Sequence, residues 1–260
     1  MKLFSHQSKI RHSLLLALLL VTLSCAQSAW SLTKQAKFGP YAIPITQQTA
    51  FLRQTAAKDY WRFSQFYLPQ QTSSACGLAT MAMALNFLRG VPKFSDETLI
   101  TQPALLKTVF TGIWGDKVAE GGDGLKFDEM VMLVKKGLKA YHLNNYSVRV
   151  IRPTNDPKSL GLIKQVLAAN EKSSHDLVLA YFNQGVLTSD WDGPHISPIG
   201  AYDYSKHQVL IMDVDREWYP PYWSPVEKLW EAMLRPAPAD QGILAGQTGG
   251  LVWITKQIKQ

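Results

Sequence analysis

The run Leu78-Ala79-Thr80-Met81-Ala82-Met83-Ala84-Leu85-Asn86-Phe87-Leu88 is apolar on nearly every side. A helix of this kind has no polar face to offer water, so it belongs in an interior. The run is also too short to cross a bilayer. Its content of Ala, Leu and Met favours helix over strand. The chain must therefore provide enough other structure to enclose it, which predicts a fold built around one central helix. The small polar stretch Gln70–Ala75 leads into Cys76-Gly77 and then directly into this run. Ser73 or Ser74 is the expected cap.

Around that helix the pattern changes along the chain. Residues 30–46 read as an extended lead-in broken by Pro40 and Pro44, and 47–66 as helical, with Phe51, Leu52, Tyr60, Trp61 and Phe66 as its apolar positions. Residues 95–109, 127–137 and 158–170 are the next expected helices. Gly121-Gly122-Asp123-Gly124 lacks the Gly-Lys-Ser/Thr that would make it a phosphate loop, and reads as a surface loop. In the second half, Leu177–Phe182, Ile199–Tyr204, Val209–Val214 and Leu251–Thr255 are short β-branched or aromatic runs. They predict one antiparallel sheet. Tyr219–Trp223 reads as a rigid packed turn. Ser224-Pro225-Val226-Glu227 then predicts a helix start capped by Ser224 and ended before Pro236 and Pro238. The expected class is α+β, a helical N-terminal lobe facing an antiparallel-sheet C-terminal lobe within one domain.

Composition excludes several function classes. With 46% apolar and 18% charged residues the chain is ordinary globular material. Two cysteines cannot build a disulfide framework or a thiolate zinc cluster. Lys2, Lys9 and Arg11 precede the apolar run Leu14–Val21, and the small residues Ser24, Ala26, Ser28 and Ala29 follow. That is the layout of an export signal. Cleavage after Ala26, Ser28 or Ala29 stays open. With Ser28 as the boundary, residues 1–28 are the signal peptide and 29–260 the catalytic domain. The expected location is periplasmic or otherwise extracytoplasmic, with membrane association only if the segment is retained. Its removal takes three basic residues and no acid, so the net charge falls from +7 to +4. The remaining Lys126, Lys135, Lys136 and Lys139 read as a solvated helix face, which argues against a nucleic-acid partner. Cys25 leaves with the signal, and Cys76 is then a lone cysteine.

A cysteine at the start of a helix is a candidate nucleophile, because the unpaired amides there favour the thiolate. An inert buried thiol is the plainer alternative. Beyond the signal the histidines are His142, His175, His195 and His207. His195 lies in Gly193-Pro194-His195-Ile196-Ser197-Pro198, at a loop-to-strand junction, and Asp213 ends the run Val209–Asp213. If these two runs pair as a hairpin, acid and imidazole meet at one edge, giving the nucleophile, base and orienter of a thiol hydrolase. Gln70 is placed to donate its amide to an oxyanion. Met81 and Met83 have no histidine or cysteine cluster beside them and read as helix packing, not a copper site.

Taken in order, these segments resemble the phytochelatin synthase family, a member of the papain-like thiol-enzyme clan. Gln70–Leu88 resembles its active-site segment, and Gly193–Gly200 its Gly-His-Phe/Ile-Ser-Pro segment. Leu210–Arg216, Tyr219–Trp223 and Leu229–Met233 resemble its longest signature, and Phe127-Asp128-Glu129 is a weaker echo. The similarity spans roughly residues 40–256. It implies a papain-like fold with Cys76 as nucleophile, His195 as general base and acid, and Asp213 as the group orienting His195. Gln70 and the Cys76 backbone amide become the oxyanion hole. The implied substrate is glutathione, from which glycine is released while γ-Glu-Cys is held as a thioester and passed to water or to a second glutathione. No tightly bound cofactor and no protein metal site are implied, and metal ions would arrive as glutathione thiolates. A homodimer stays open.

Arg216, Asn183 and Tyr219 are the candidate substrate contacts. The sequence shows no counterpart of the Cys-rich C-terminal region of plant members, so it resembles the short bacterial form, in which hydrolysis is expected to outweigh synthesis. It departs from the family pattern near Asn183, where an arginine is usual, and at Pro194, where a small residue is usual. Two rival readings remain: a related thiol peptidase acting on other small peptides, and an exported thiol- or metal-binding protein without catalysis.

Overall fold

The computed structural model of the chain describes residues 37–257. The export segment, Cys25 and the alternative cleavage points lie outside them. A short strand β1 (Ile43–Pro44) comes first. The expected helix over 47–66 is then split into α1 (Thr49–Gln54), α2 (Lys58–Phe63) and a 3-10 turn at Ser64–Phe66. The break is at Ala57, which takes a left-handed conformation (φ 43°) while its N–H donates to Glu171 Oε1 at 2.6 Å.

The central run forms α3 (Cys76–Arg89), and every residue from Gly77 to Leu88 is buried. Asn86, its one amide, is satisfied there: Nδ2 donates to the carbonyls of Ala82 and Ile100, and Oδ1 accepts from the Ile100 N–H at 2.8 Å. That clamp draws the 98–101 segment against α3. The helix expected over 95–109 accordingly shortens to α4 (Gln102–Thr108), which starts where Thr101 accepts from the Ala104 N–H. A short α5 (Ile113–Lys117) and the amphipathic α6 (Phe127–Ala140) follow. On α6, Val131, Val134 and Leu138 are buried while Lys135, Lys136 and Lys139 face solvent.

Beyond α6, strands and helices alternate, so the chain does not divide into a helical half and a sheet half. The elements are β2 (Tyr146–Ile151), α7 (Pro157–Lys172), β3 (Leu177–Asn183), α8 (Gln184–Thr188) and β4 (Pro194–Asp203). They continue with β5 (Gln208–Ile211), β6 (Tyr222–Pro225), α9 (Val226–Leu234) and β7 (Gly250–Lys256). The strands make one seven-stranded sheet in the order β1-β6-β5-β4-β3-β7-β2, antiparallel at every pairing. The class is therefore α+β. Three strands were not expected as such, and β1 falls in the segment read only as an extended lead-in. β2 is only partly buried and carries weak alternation, and β6 was masked by the two prolines before it. Ser224 is a buried strand residue and not a cap; α9 starts after Pro225 without a side-chain cap.

The sheet is covered on both faces. Along β3, Leu177, Leu179 and Tyr181 join the core around α3, while Val178, Ala180 and Phe182 join a second core with α7 and α9. A strand buried this way reads as a continuous apolar run without alternation. In β4 a register shift between Ile199 and Ala201 reverses this parity, returning Ala201 to the α3 side. Thr80 on α3 donates to the Ile196 carbonyl at 3.0 Å, which ties the buried helix to β4. Among the described residues no helix is long and apolar enough to cross a membrane.

Gly249 sets a tight test of this packing. A Cβ there would lie 1.8 Å from the Tyr181 carbonyl oxygen, which is backbone and cannot rotate away. Gly249→Ala is expected to cost roughly 3 kcal/mol of stability, read as a lower denaturant midpoint at unchanged m-value. An unchanged midpoint would mean that β7 and β3 are not held this closely.

Candidate active site

Cys76 is the first residue of α3, with Ala75 at the cap position and no side chain capping the helix. Its thiol is partly buried and unpaired with any other cysteine. The serines expected to cap the helix instead bind the loop opposite. The Ser73 N–H donates to Glu120 Oε2 at 2.9 Å, Ser73 Oγ accepts from the Gly121 N–H at 3.0 Å, and Ser74 Oγ donates to the Gly122 carbonyl. No side chain therefore competes for the amides at the start of α3.

The imidazole comes from β4. Its β5 partner pairs Ile199 with Ile211, and the Met212 N–H donates to the Pro198 carbonyl. The chain leaving β5 thus carries Asp213 back alongside His195, just beyond the strand end where the sequence had placed it inside. His195 Nε2 donates to Asp213 Oδ1 at 2.9 Å and lies 3.0 Å from Ser197 Oγ. With Nε2 occupied, Nδ1 is the ring atom left for Cys76, whose sulfur is near enough to His195 to raise its affinity for protons.

Asp213 has no exposure to water. Oδ1 also accepts from the Asp215 N–H at 2.9 Å, and Oδ2 accepts from Gln184 Nε2 at 2.9 Å. The Tyr222 hydroxyl donates to Gln184 Oε1 at 3.4 Å, and that of Tyr67 donates to the Asp213 carbonyl. Burial is the strongest influence on both members of the pair and opposes both charges. It is outweighed at His195 by the Asp213 carboxylate and then the Cys76 sulfur, which raise the imidazole well above its ordinary 6.5. At Asp213 the His195 charge and the donors from Gln184 and Asp215 hold the carboxyl below its ordinary 3.8.

Cys76 and His195 open onto a cavity of about 350 Å³, while Asp213 lies behind its wall. Gln70 lies in its wall with its carboxamide oxygen buried and without a partner among the described residues. Gly122, Asp123 and Gly124 also line it, so the Gly-rich loop borders the site. Leu125, Tyr181, Trp191 and Leu244 supply apolar surface. Burial pushes the Tyr181 hydroxyl up, and the Cys76 and Glu129 charges add to that; the oxygen has no partner among the described residues.

The three candidate substrate contacts do not line this cavity. Asn183 is buried, caps α8 by accepting from the Gly185 N–H, and donates to Asp192 Oδ1 at 2.6 Å. The Tyr219 hydroxyl donates to Asp190 Oδ2 at 2.7 Å. Arg216 places its guanidinium over the Tyr67 ring, 4.6 Å from the centroid. Gln184 escaped the sequence reading; its one signal is the pair of amides Asn183-Gln184 that ends the apolar run Leu177–Phe182. Among the described residues no group of three or more His, Cys, Asp or Glu is placed to hold a metal ion.

The sequence model of the family described as phytochelatin synthase matches residues 45–242. A Lotus japonicus protein named glutathione gamma-glutamylcysteinyltransferase 3 is 27% identical over 190 residues, which cover 70% of this chain and 35% of the relative. An Arabidopsis thaliana protein of the same name, numbered 2, is 28% identical over 190 residues, 70% of this chain and 37% of its own. The Schizosaccharomyces pombe glutathione gamma-glutamylcysteinyltransferase is 24% identical over 209 residues, 77% of this chain and 44% of the relative. The chain thus spans between about a third and a half of the length of these curated relatives.

The coupled pair gives a pH signature. Asp213, lowered on folding, contributes stability above pH 3.8 that is lost as pH falls through its native value. His195, raised on folding, contributes stability that is full below pH 6.5 and lost as pH rises through its native value. Asp213→Asn is expected to move the His195 titration downward, as followed by NMR of the ring protons. A His195 titration unmoved by this change would assign its raised affinity for protons to some other group. Gln184→Leu leaves Asp213 Oδ2 without its donor and is expected to cost about 1–3 kcal/mol in a denaturant titration.

Proposed function

The chain belongs to the phytochelatin synthase family, and from that premise we propose that it is a thiol transpeptidase and hydrolase acting on glutathione through Cys76. The observation that carries this reading is the convergence of Cys76 and His195 in the wall of one cavity, with Asp213 hydrogen-bonded behind the imidazole. A cysteine on a buried helix facing a histidine on an adjoining sheet is also what supports a papain-like architecture. The relatives' names supply the substrate class, a γ-glutamylcysteinyl group taken from glutathione.

In this reading His195 Nδ1 takes the proton of the Cys76 thiol and so generates the attacking thiolate. Asp213 keeps the ring oriented, with Nδ1 towards sulfur, and stabilises its charge. The thiolate attacks the carbonyl carbon of the bond between the cysteine and glycine of glutathione. Negative charge then develops on the carbonyl oxygen, where the Gln70 amide and the Cys76 N–H at the start of α3 act as donors. Collapse expels the glycine amine, which takes its proton from His195, and leaves γ-Glu-Cys as a thioester on Cys76. A water deprotonated by His195 releases γ-Glu-Cys; the amine of a second glutathione gives the elongated peptide instead. Both outcomes share the first step and differ in which nucleophile reaches the thioester.

The function carries two further parts. Metal ions act through the substrate, as glutathione thiolates, with no tightly bound cofactor. The basic, apolar and small-residue order of residues 1–28 supports export, which places this chemistry outside the cytoplasm.

Cys76→Ser is expected to abolish glycine release and the acyl adduct, seen by mass spectrometry of protein incubated with glutathione. Full activity in that variant would sink the mechanism. Gln70→Ala is expected to lower kcat by about 10²–10³-fold with a smaller change in KM, the mark of a donor used mainly in the transition state.

A further inference from the structure

Past Gln70, Ser73 and Asp215 the nucleophile's cavity adjoins a second cleft of about 330 Å³ that shares those three residues as a wall. The charged groups lining this cleft are Glu120, Asp215 and Glu217, beside the indole of Trp218. The first cavity adds Asp123, and among the described residues lining the two, His195 alone is basic. Arg216, between two of these acids in sequence, is turned onto Tyr67 and lines neither.

The rim of the cleft already holds one cation. The Lys37 ammonium rests on the Trp218 ring, 3.5 Å from its centroid, and its charge is felt at Asp215. The Ser73 amide and then its hydroxyl hold Glu120 below its ordinary value, so it is ionised at neutral pH. At Asp215 burial first, and then the charges of Asp213 and Glu217, push the carboxyl up against the opposing pull of His195 and Lys37. An aromatic face among carboxylates attracts ammonium groups and repels carboxylates.

Resting on the thioester chemistry proposed above, we infer that this cleft receives the amine side of the reaction, and that it selects cationic amines over amines bearing a carboxylate. The leaving amine of the first step and the attacking amine of the second occupy the same place, because one step is the reverse of the other. In the second step the neutral amine nitrogen attacks the thioester carbonyl, the C–S bond breaks, and Cys76 leaves as thiolate. The extra amine proton passes to His195, and an amide of γ-Glu-Cys results. A second ammonium on the acceptor meets Glu217 and Glu120, whereas the carboxylates of glycine or of a second glutathione meet like charge.

The test uses the purified chain and two comparisons read by mass spectrometry and rate. γ-Glu-Cys formation is compared between glutathione and the same peptide ending in glycinamide. Transfer is compared between 1,4-diaminobutane, 1-butylamine and excess glutathione as acceptors. The glycinamide peptide should show a kcat/KM about fivefold higher, and the diamine should outcompete both other acceptors by a similar factor, as a few solvent-exposed like charges allow. Raising NaCl to about 0.5 M should narrow both preferences. Replacing Glu120 and Glu217 by Lys together should reverse them, and Glu217→Gln alone should weaken them. Equal use of all donors and acceptors, with glycine still released, overturns this inference and leaves the proposed activity standing. No γ-Glu-Cys from any peptide overturns both.

Discussion

Asp213 is a carboxylate without access to water, and an isolated buried charge of that kind costs several kcal/mol. It remains an anion because His195 faces one oxygen and Gln184 the other, with the Asp215 amide completing the set. Each of these partners is delivered by a different part of the fold: His195 by β4, Gln184 by the first turn of α8, and Asp215 by the chain beyond β5. The hairpin register, the strand-to-helix junction at Asn183–Gln184 and the loop after Ile211 are thereby constrained together. Any slip of β4 against β5 would leave a buried carboxylate unpaired, so the register that builds the site is also the one the interior tolerates.

The other half of the site depends on helix burial. A helix with no polar face gains stability only when enclosed, and α3 is enclosed by the sheet on one side and by α2, α4 and α6 on the others. The consequence falls at its first residue. Because Gly77–Leu88 are held fast, Cys76 sits at a fixed height over β4, where Thr80 pins the helix to Ile196, next to His195. Ser73 and Ser74 bind the 120–122 loop and leave the helix start open to the cavity. A conventional serine cap would satisfy one of those amides internally and remove a donor from the proposed oxyanion site.

Much of this was readable in the chain. The α3 run, the amphipathic pattern of α6 and the apolar β3 run each carry a local signature of burial, and all three elements formed where expected. Cys76, His195 and Asp213 converge as the hairpin reading required. The misses share a cause. Residues 47–66 carry a helical pattern, yet Ala57 breaks it because its amide is taken by Glu171, more than a hundred residues away. Ser73, Ser74 and Ser224 have the chemistry of caps, but other partners claim the first two and a strand claims the third. Asn183 and Tyr219 look available for a ligand in sequence, while in the fold Asp192 and Asp190 already occupy them.

The sequence by itself therefore determined which segments must be buried, which residue types could do chemistry, and the family to which their order points. Those properties are local: periodicity, composition and short motifs are written in consecutive residues. Only the tertiary structure decided which polar groups are free and which are spent, that Gln184 completes the surroundings of Asp213, and that carboxylates line the cleft adjoining the nucleophile's cavity. Hydrogen-bond partners and electric fields depend on distance in space, and Glu120, Asp215 and Glu217 become neighbours only once the 118–122 and 213–218 loops are brought to the same rim. No reading of consecutive residues contains that distance.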